Sequence, residues 1–416
     1  MAQKNTKHWA VLVCVSFMFA ASAGIINNVI GVFYTPVSES LGVLRGTFAL
    51  HSTITMVLVG FISLVTPQLI HRFGWKRVLT IGVILAFIGT AGMAFTEYLV
   101  IFYLLGAIRG IGAGLFGLVP MAMLINNWFH LKNGLAISLA SAFSGLIGMI
   151  FAPIIANVVA EFGWQNGFIA MGTAVVLLAL PAIIYPYSLS PEQEDLMPYG
   201  YEMHATMKKK KTTEKRPTVA LKSVFISFGA MMIFSVLHTN ILGMNQHLSS
   251  YGESIGMSLE FSGYMLSAVM LGNILFKLVI GPMSDRVGAI KSTIIMNAFN
   301  VIGLMILIAW PSAVPSIGAA FLFGSVFCVG SVALPLLSNQ FFGKNLSERV
   351  FPILTFTSNI GAAVSNTMVG YIFDFTGSYQ IAFLIAVVFQ AINLVLLFIA
   401  YKFSIQKLGE PQSLRS

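Results

Sequence analysis

Charge is what this sequence is short of. Only 9% of its 416 residues are Asp, Glu, Lys or Arg, and just 14 are acidic, where a soluble domain carries about 25% charged residues. A water-facing surface cannot be built from so few. No acid, base and nucleophile cluster is evident either, which excludes an enzyme as the natural reading. Cysteine is equally scarce. Cys14 and Cys328 both lie in apolar segments, where a thiol packs as a small hydrophobe, so no disulfide framework, metal centre or cofactor is expected. The alternating ten-residue pattern of a membrane β-barrel is missing as well. What the chain has instead is 57% hydrophobic residues, 34 Phe and a mean hydropathy of +0.87. Apolar runs of about twenty residues, enough to cross a bilayer as helix, recur from end to end. The first of them follows Lys4 and Lys7 but is too long for a signal peptide and is read as a retained span.

The runs predict an all-α membrane protein with twelve spans at 9–34, 46–70, 78–96, 98–127, 134–160, 167–188, 221–247, 257–283, 291–310, 314–340, 350–372 and 381–403. With the N-terminus inside, loops 71–77, 129–133, 189–220, 285–291 and 343–349 hold or border nearly all the basic residues, leaving Arg45 outside. The positive-inside rule therefore expects both termini in the cytoplasm of a plasma or inner membrane. The net charge of +9 reports topology, and nucleic acid is not an expected partner. Lys208 to Lys211 fall in the longest polar segment, which divides the chain into an N-terminal half (1–188), a cytoplasmic linker (189–220) and a C-terminal half (221–416).

The halves echo each other. Pro67-Gln-Leu-Ile-His-Arg-Phe-Gly74 ends the second span, and Gly281-Pro-Met-Ser-Asp-Arg-Val-Gly288 ends the eighth, 214 positions later. The same offset carries Gly163-Trp-Gln onto Gly377-Ser-Tyr-Gln. Repeated six-helix units mark transporters whose site lies between the repeats.

The stretch from Gly281 to Gly288 resembles the G-x-L-a-D-r-x-G loop of the major facilitator superfamily, whose acid and base lock the halves in one state. That resemblance implies a gating role for Asp285 and Arg286, with Arg72 in the first copy, where Pro67 and His71 depart from the pattern. A narrower match covers Gly31-Val-Phe-Tyr-Thr-Pro, Leu41-Gly-Val-Leu-Arg45 and Trp128-Phe-His-Leu-Lys-Asn-Gly-Leu-Ala136. Together with Ser190-Pro-Glu and Met197-Pro-Tyr-Gly200, it resembles the oxalate/formate antiporters and monocarboxylate porters.

Two full charges lie deep in the spans, Arg109 and Lys277, and no Asp or Glu falls in any span interior. Buried charges are expensive and mark pathways or sites, so two cations point to an anionic substrate. Arg109 offers a two-donor fork for a carboxylate and Lys277 a point charge. Asn273, one turn before Lys277, suggests a wet cavity; against it, Lys277 could snorkel toward Asp285. The resemblance implies a substrate-binding cation at Lys277. It also allows Arg109 a packing role, with Gly110, Gly112 and Gly114 letting helices approach closely. Asn28 and Tyr34 on the first span and His238 on the seventh are candidate cavity residues. Gly145, Gly148 and Pro153 loosely resemble an exporter motif and are read as packing and bending residues.

In the animal monocarboxylate porters the first span has a lysine and the eighth an aspartate; Asn28 and Asn273 stand there in this alignment. The proton-carrying pair is missing, so exchange or uniport of a mono- or dicarboxylate is expected, by a monomer. The alternatives are export of amphipathic drug-like compounds and a receptor that binds without transport.

Overall fold

The computed structural model describes residues 2–43, 45–201, 221–257 and 259–404. Most of the expected linker, with Lys208 to Lys211, lies outside them. The chain forms two compact units, Met1–Tyr199 and Gly200–Ser416.

In the first unit, α1 (Thr6–Phe33), α2 (Thr47–Phe73), α3 (Trp75–Phe95) and α4 (Leu99–Trp128) precede a long element, Asn133–Ile184. Its helical geometry breaks at Gly163 (φ 84°, ψ 162°), so it is two helices, α5 (133–162) and α6 (164–184). The second unit holds α7 (Val224–Gly243), α8 (Leu259–Val287), α9 (Ala289–Ala309), α10 (Ala313–Gly343), α11 (344–376) and α12 (Gln380–Lys402). Ten stretches of the described residues are long and apolar enough to cross a membrane. Dividing one at Gly163 and adding α11, which continues from α10 across Gly343 (φ 72°, ψ 162°), gives the twelve expected helices. Phe61, Ile81, Leu104, Ile302 and Phe398 are exposed on them, an apolar exterior suited to lipid.

The internal repeat is written in the backbone. Gly74 and Gly288, 214 positions apart, both have positive φ (83° and 91°), and so do Gly163 and Gly377 (84° and 67°). At each of these joints the chain turns sharply between two helices in a conformation that penalises any side chain. The matched glycines of the sequence are there for that reason.

Helix packing follows the small residues. A Cβ on Gly106 or Gly110 would stand 2.6 Å from the carbonyl oxygen of His51 or Thr55 on α2, and one on Gly112 would stand 2.4 Å from the Ala86 nitrogen on α3. The glycines of α4 thus seat its backbone directly against both neighbours. Gly148 does the same between α5 and α1, where a Cβ would stand 3.0 Å from the carbonyl oxygen of Gly24. Regularity fails in several helices, among them the first, fourth, seventh and tenth, while α3 also ends in a 3₁₀ turn, Gly92–Phe95. Residues Ala20–Asn27 of α1 and Val329–Ala333 of α10 are π-helical, Gly117 interrupts α4 (φ −83°, ψ −140°), and a 3₁₀ turn, Met244–His247, ends α7. Such irregular turns free backbone groups and concentrate at functional positions.

The segment after α6 is tied to the first unit. Trp128 Nε1 donates to the Ser188 carbonyl at 3.1 Å, Asn127 Nδ2 to that of Leu189 at 3.3 Å, and the Tyr199 N–H to that of Trp128 at 2.8 Å. Lys7 pairs with Glu194, and a ring nitrogen of His8 lies 2.9 Å from the Met197 carbonyl. Residues 189–199, expected to be solvated linker, therefore form a strap across the start of α1. Burial raises the pKa of Glu194, but hydrogen bonds from Lys7 and the Ser188 N–H outweigh it and hold the carboxyl below its ordinary 4.5. A carboxyl depressed in the folded state stabilises above its unfolded pKa and loses that contribution as pH falls through the folded one. Hydrogen exchange of residues 188–199 is expected to be slow near neutrality and to lose protection selectively below pH 4.5; protection unchanged across that window would show that the ion pair does not hold the strap.

Candidate functional site

Lys277 sits in the middle of α8, 5% exposed, one turn from the equally buried Asn273. Its surroundings are set by two glycines. A Cβ on Gly272 would lie 2.1 Å from the Phe321 carbonyl oxygen, and one on Gly324 would lie 2.7 Å from the Asn273 nitrogen. With no side chains between them, α8 and α10 touch backbone to backbone. That contact presents the next turn of α8 to residues 326–333 of α10. The Lys277 ammonium and the Cys328 thiol are close enough to interact electrostatically, and Phe276 packs between Phe299 and Phe321 at centroid distances of 5.3 and 5.4 Å. A snorkelling lysine would carry its head out of the protein. This one stays in.

The same stretch of α10 receives His238 from α7. Its Nε2 lies 2.9 Å from the Val326 carbonyl oxygen. A carbonyl only accepts, so Nε2 carries the proton and Nδ1 is left as an acceptor. Nδ1 is buried and has no hydrogen-bond partner among the described residues, and the same holds for Asn273 Oδ1. Lys277 and His238, which the sequence could only nominate separately, thus meet the same turn of α10 where the helix passes into its π segment, with Asn273 one turn away on α8, its Nδ2 3.9 Å from Met270 Sδ. Cys328, whose thiol donates to the Ser325 carbonyl at 2.9 Å, belongs to this cluster and was not anticipated.

In the first unit the candidates do not gather. Arg109 is 1% exposed and faces α2 and the end of α3. Its Nη2 and Nε donate to Thr55 Oγ1 at 3.0 and 3.3 Å, and Nη1 approaches Met93 Sδ at 4.0 Å. Thr55 Oγ1 is in turn within 2.9 Å of the His51 carbonyl and 2.8 Å of the Gly106 carbonyl, while Ser52 Oγ lies 3.2 Å from His51 Nε2. This polar chain through α2 went unread, although a histidine followed by Ser52 and Thr55 on one span was a visible signal. Asn28, exposed where the π turn of α1 ends, lies against α5, its Nδ2 3.0 Å from where a Gly148 Cβ would be. The Tyr34 side chain lies outside what the structure describes.

Of the gating candidates, Arg72 is exposed with its guanidinium 5.2 Å from the Phe73 ring centroid. Asp285, with Arg286 exposed beside it, lines a crevice of about 380 Å³ formed with Ser284, Gly288, Leu336, Asn339 and Gln340.

Twelve helices in two units with a repeated glycine joint agree with the loop-motif resemblance, and a sequence model described as Major Facilitator Superfamily matches residues 12–251 and 223–414. The chain belongs to this superfamily. It is therefore a membrane transporter by family and not an enzyme. Among curated relatives, monocarboxylate transporter 12 of Mus musculus is 24% identical over 372 residues, covering 82% of this chain and 74% of the relative. Monocarboxylate transporter 13 of Bos taurus is 23% identical over 390 residues, covering 91% and 85%. Among solved structures, the proton:xylose symporter XylE bound to 6-bromo-6-deoxy-D-glucose superposes with a TM-score of 0.74 at 14% identity, covering 98% of this chain and all of that one. The transporter FucP in the outward conformation gives 0.66, also at 14%. At such identity these structures show that the superfamily fold is shared.

Proposed function

We propose that this protein carries an organic carboxylate across the plasma or inner membrane by alternating access, as an exchanger or uniporter. The observation that carries the reading is a buried lysine, 5% exposed, in a protein whose span interiors contain no acidic residue. An ammonium in a low-dielectric setting is stabilised by an incoming anion, and that differential selects carboxylates over neutral or cationic solutes. Asn273 and His238 are the polar side chains that accompany it in the second unit, and Asn28 on α1 is a separate candidate contact in the first. Relatives named monocarboxylate transporters support the same substrate class. The bonds of Arg109 to α2 and α3 favour a role in seating α4. Asp285, Arg286 and Arg72 are the gating residues of this reading, and the bias of basic loops supports both termini inside.

A cationic drug would meet like charge at Lys277, which disfavours drug export. A receptor that binds without transport differs in giving no flux. Purified protein in liposomes is expected to take up labelled carboxylate with a proton ionophore present and no imposed pH gradient. Strict dependence on an inward proton gradient would contradict exchange and uniport, and binding without uptake would indicate a receptor.

A further inference from the structure

The second unit buries four amide side chains on α9 and α12, beside the stretch of α10 that the cluster around Lys277 uses. Asn297 and Asn300 project from α9, Gln390 and Asn393 from α12, and none is more than 1% exposed. Gln390 Nε2 donates to Asn300 Oδ1 at 2.8 Å, and Asn300 Nδ2 to the Phe323 carbonyl of α10 at 3.4 Å. Beside them Ser325 Oγ donates to the Met296 carbonyl at 3.0 Å. Two crossings, α10 and α11, lie between α9 and α12, so the two helices run antiparallel. The Gln390–Asn300 bond then fixes their register: three residues back along α9 and three residues on along α12 bring Asn297 and Asn393 to the same level, about 4.5 Å further along the axis. Both ends of both amides, and Gln390 Oε1, are buried with no hydrogen-bond partner among the described residues.

Leaving these groups dry in the apolar middle of a membrane protein would cost several kcal/mol, so a ligand is implied, and the chemistry of the five atoms says which. Two are NH₂ donors and three are carbonyl acceptors. A cation would satisfy the oxygens and oppose the NH₂ groups; an anion would do the reverse. Only a neutral group that both donates and accepts suits both kinds, and water, which wants two to four polar partners, is the smallest; one molecule can serve both ends of Asn297 and Asn393, with Gln390 Oε1 beyond its four. We propose that Asn297 and Asn393 hold a buried structural water between α9 and α12. Together with the Asn300–Gln390 pair, it clamps these two helices and α10 into one body. The cluster contains no titratable side chain, so its task is to hold helices and not to pass protons.

A double-mutant cycle on the full-length protein in detergent tests this. Asn297→Leu and Asn393→Leu are each expected to lower Tm by several degrees, because each strands the water and the opposite amide. The double variant should lose clearly less than the sum, because it removes both polar partners together. Additive losses would overturn the shared site. Asn393→Gln should retain most of the wild-type Tm, its longer arm reaching Asn297 in place of the water. A loss as large as that of Asn393→Leu would show instead that the two amides already touch. Replacing sodium by choline should leave Tm unchanged; a sodium-dependent rise abolished by Asn297→Leu would overturn water in favour of a cation.

Discussion

Replacing Lys277 by Met is expected to leave the protein folded at near wild-type yield and to weaken carboxylate binding by about 30- to 5,000-fold. Removing one member of a desolvated charge pair costs roughly 2–5 kcal/mol, and each 1.4 kcal/mol is tenfold in affinity. The fold should tolerate the change because Met matches the apolar stem of the lysine in length and leaves no charge to bury. Lys277→Arg restores the charge with a planar head and should retain part of the affinity. Calorimetry on the purified variants reads both. Unchanged binding by Lys277→Met would remove the residue from the site.

Gly272→Ala should be the most damaging single methyl group in the second unit. The added Cβ would stand 2.1 Å from the Phe321 oxygen and 3.1 Å from its carbonyl carbon. Both are backbone atoms of a packed helix, so no rotamer change relieves the clash and α8 must move off α10. Overpacking of this kind costs about 1–3 kcal/mol. Binding should fall as well, because Asn273 and Lys277 ride on α8. Gly229→Ala is the matched control, since nothing lies within 4 Å of its added Cβ, and a helical Gly→Ala change in open space stabilises by up to about 1 kcal/mol. Thermal unfolding that treats the two variants alike would contradict the backbone contact between α8 and α10.

The sequence announced what depends on composition and on backbone conformation. Hydropathy marked the spans because a bilayer admits only long apolar helices, and the 214-residue repeat was visible because positive φ at Gly74, Gly288, Gly163 and Gly377 restricts those positions to glycine. Lys277 stood out because charge is so rare around it. Legibility stopped where partners are distant in the chain. Residues 189–199 read as linker since their polarity is real, but the Leu189 carbonyl, the Tyr199 N–H and the Glu194 carboxylate are met by Asn127, the Trp128 carbonyl and Lys7, which no local pattern reveals. Arg109 could have faced substrate or neighbours, and only the position of Thr55 shows the bonds it makes. The amides of α9 and α12 passed unnoticed because single Asn and Gln residues are common in spans, and their significance lies in the register that sets Asn300 against Gln390.

The most direct measurement compares one organic acid with its own primary amide, equal in size and shape but without the charge, by calorimetry on the purified wild-type protein. If Lys277 is there to receive an anion, the carboxylate should bind about 30-fold or more tightly than the amide, the lower end of the 2–5 kcal/mol expected for a buried charge pair, and Lys277→Met should erase the difference. Equal affinity for the two, or tighter binding of the amide, would contradict a carboxylate carrier built around this lysine.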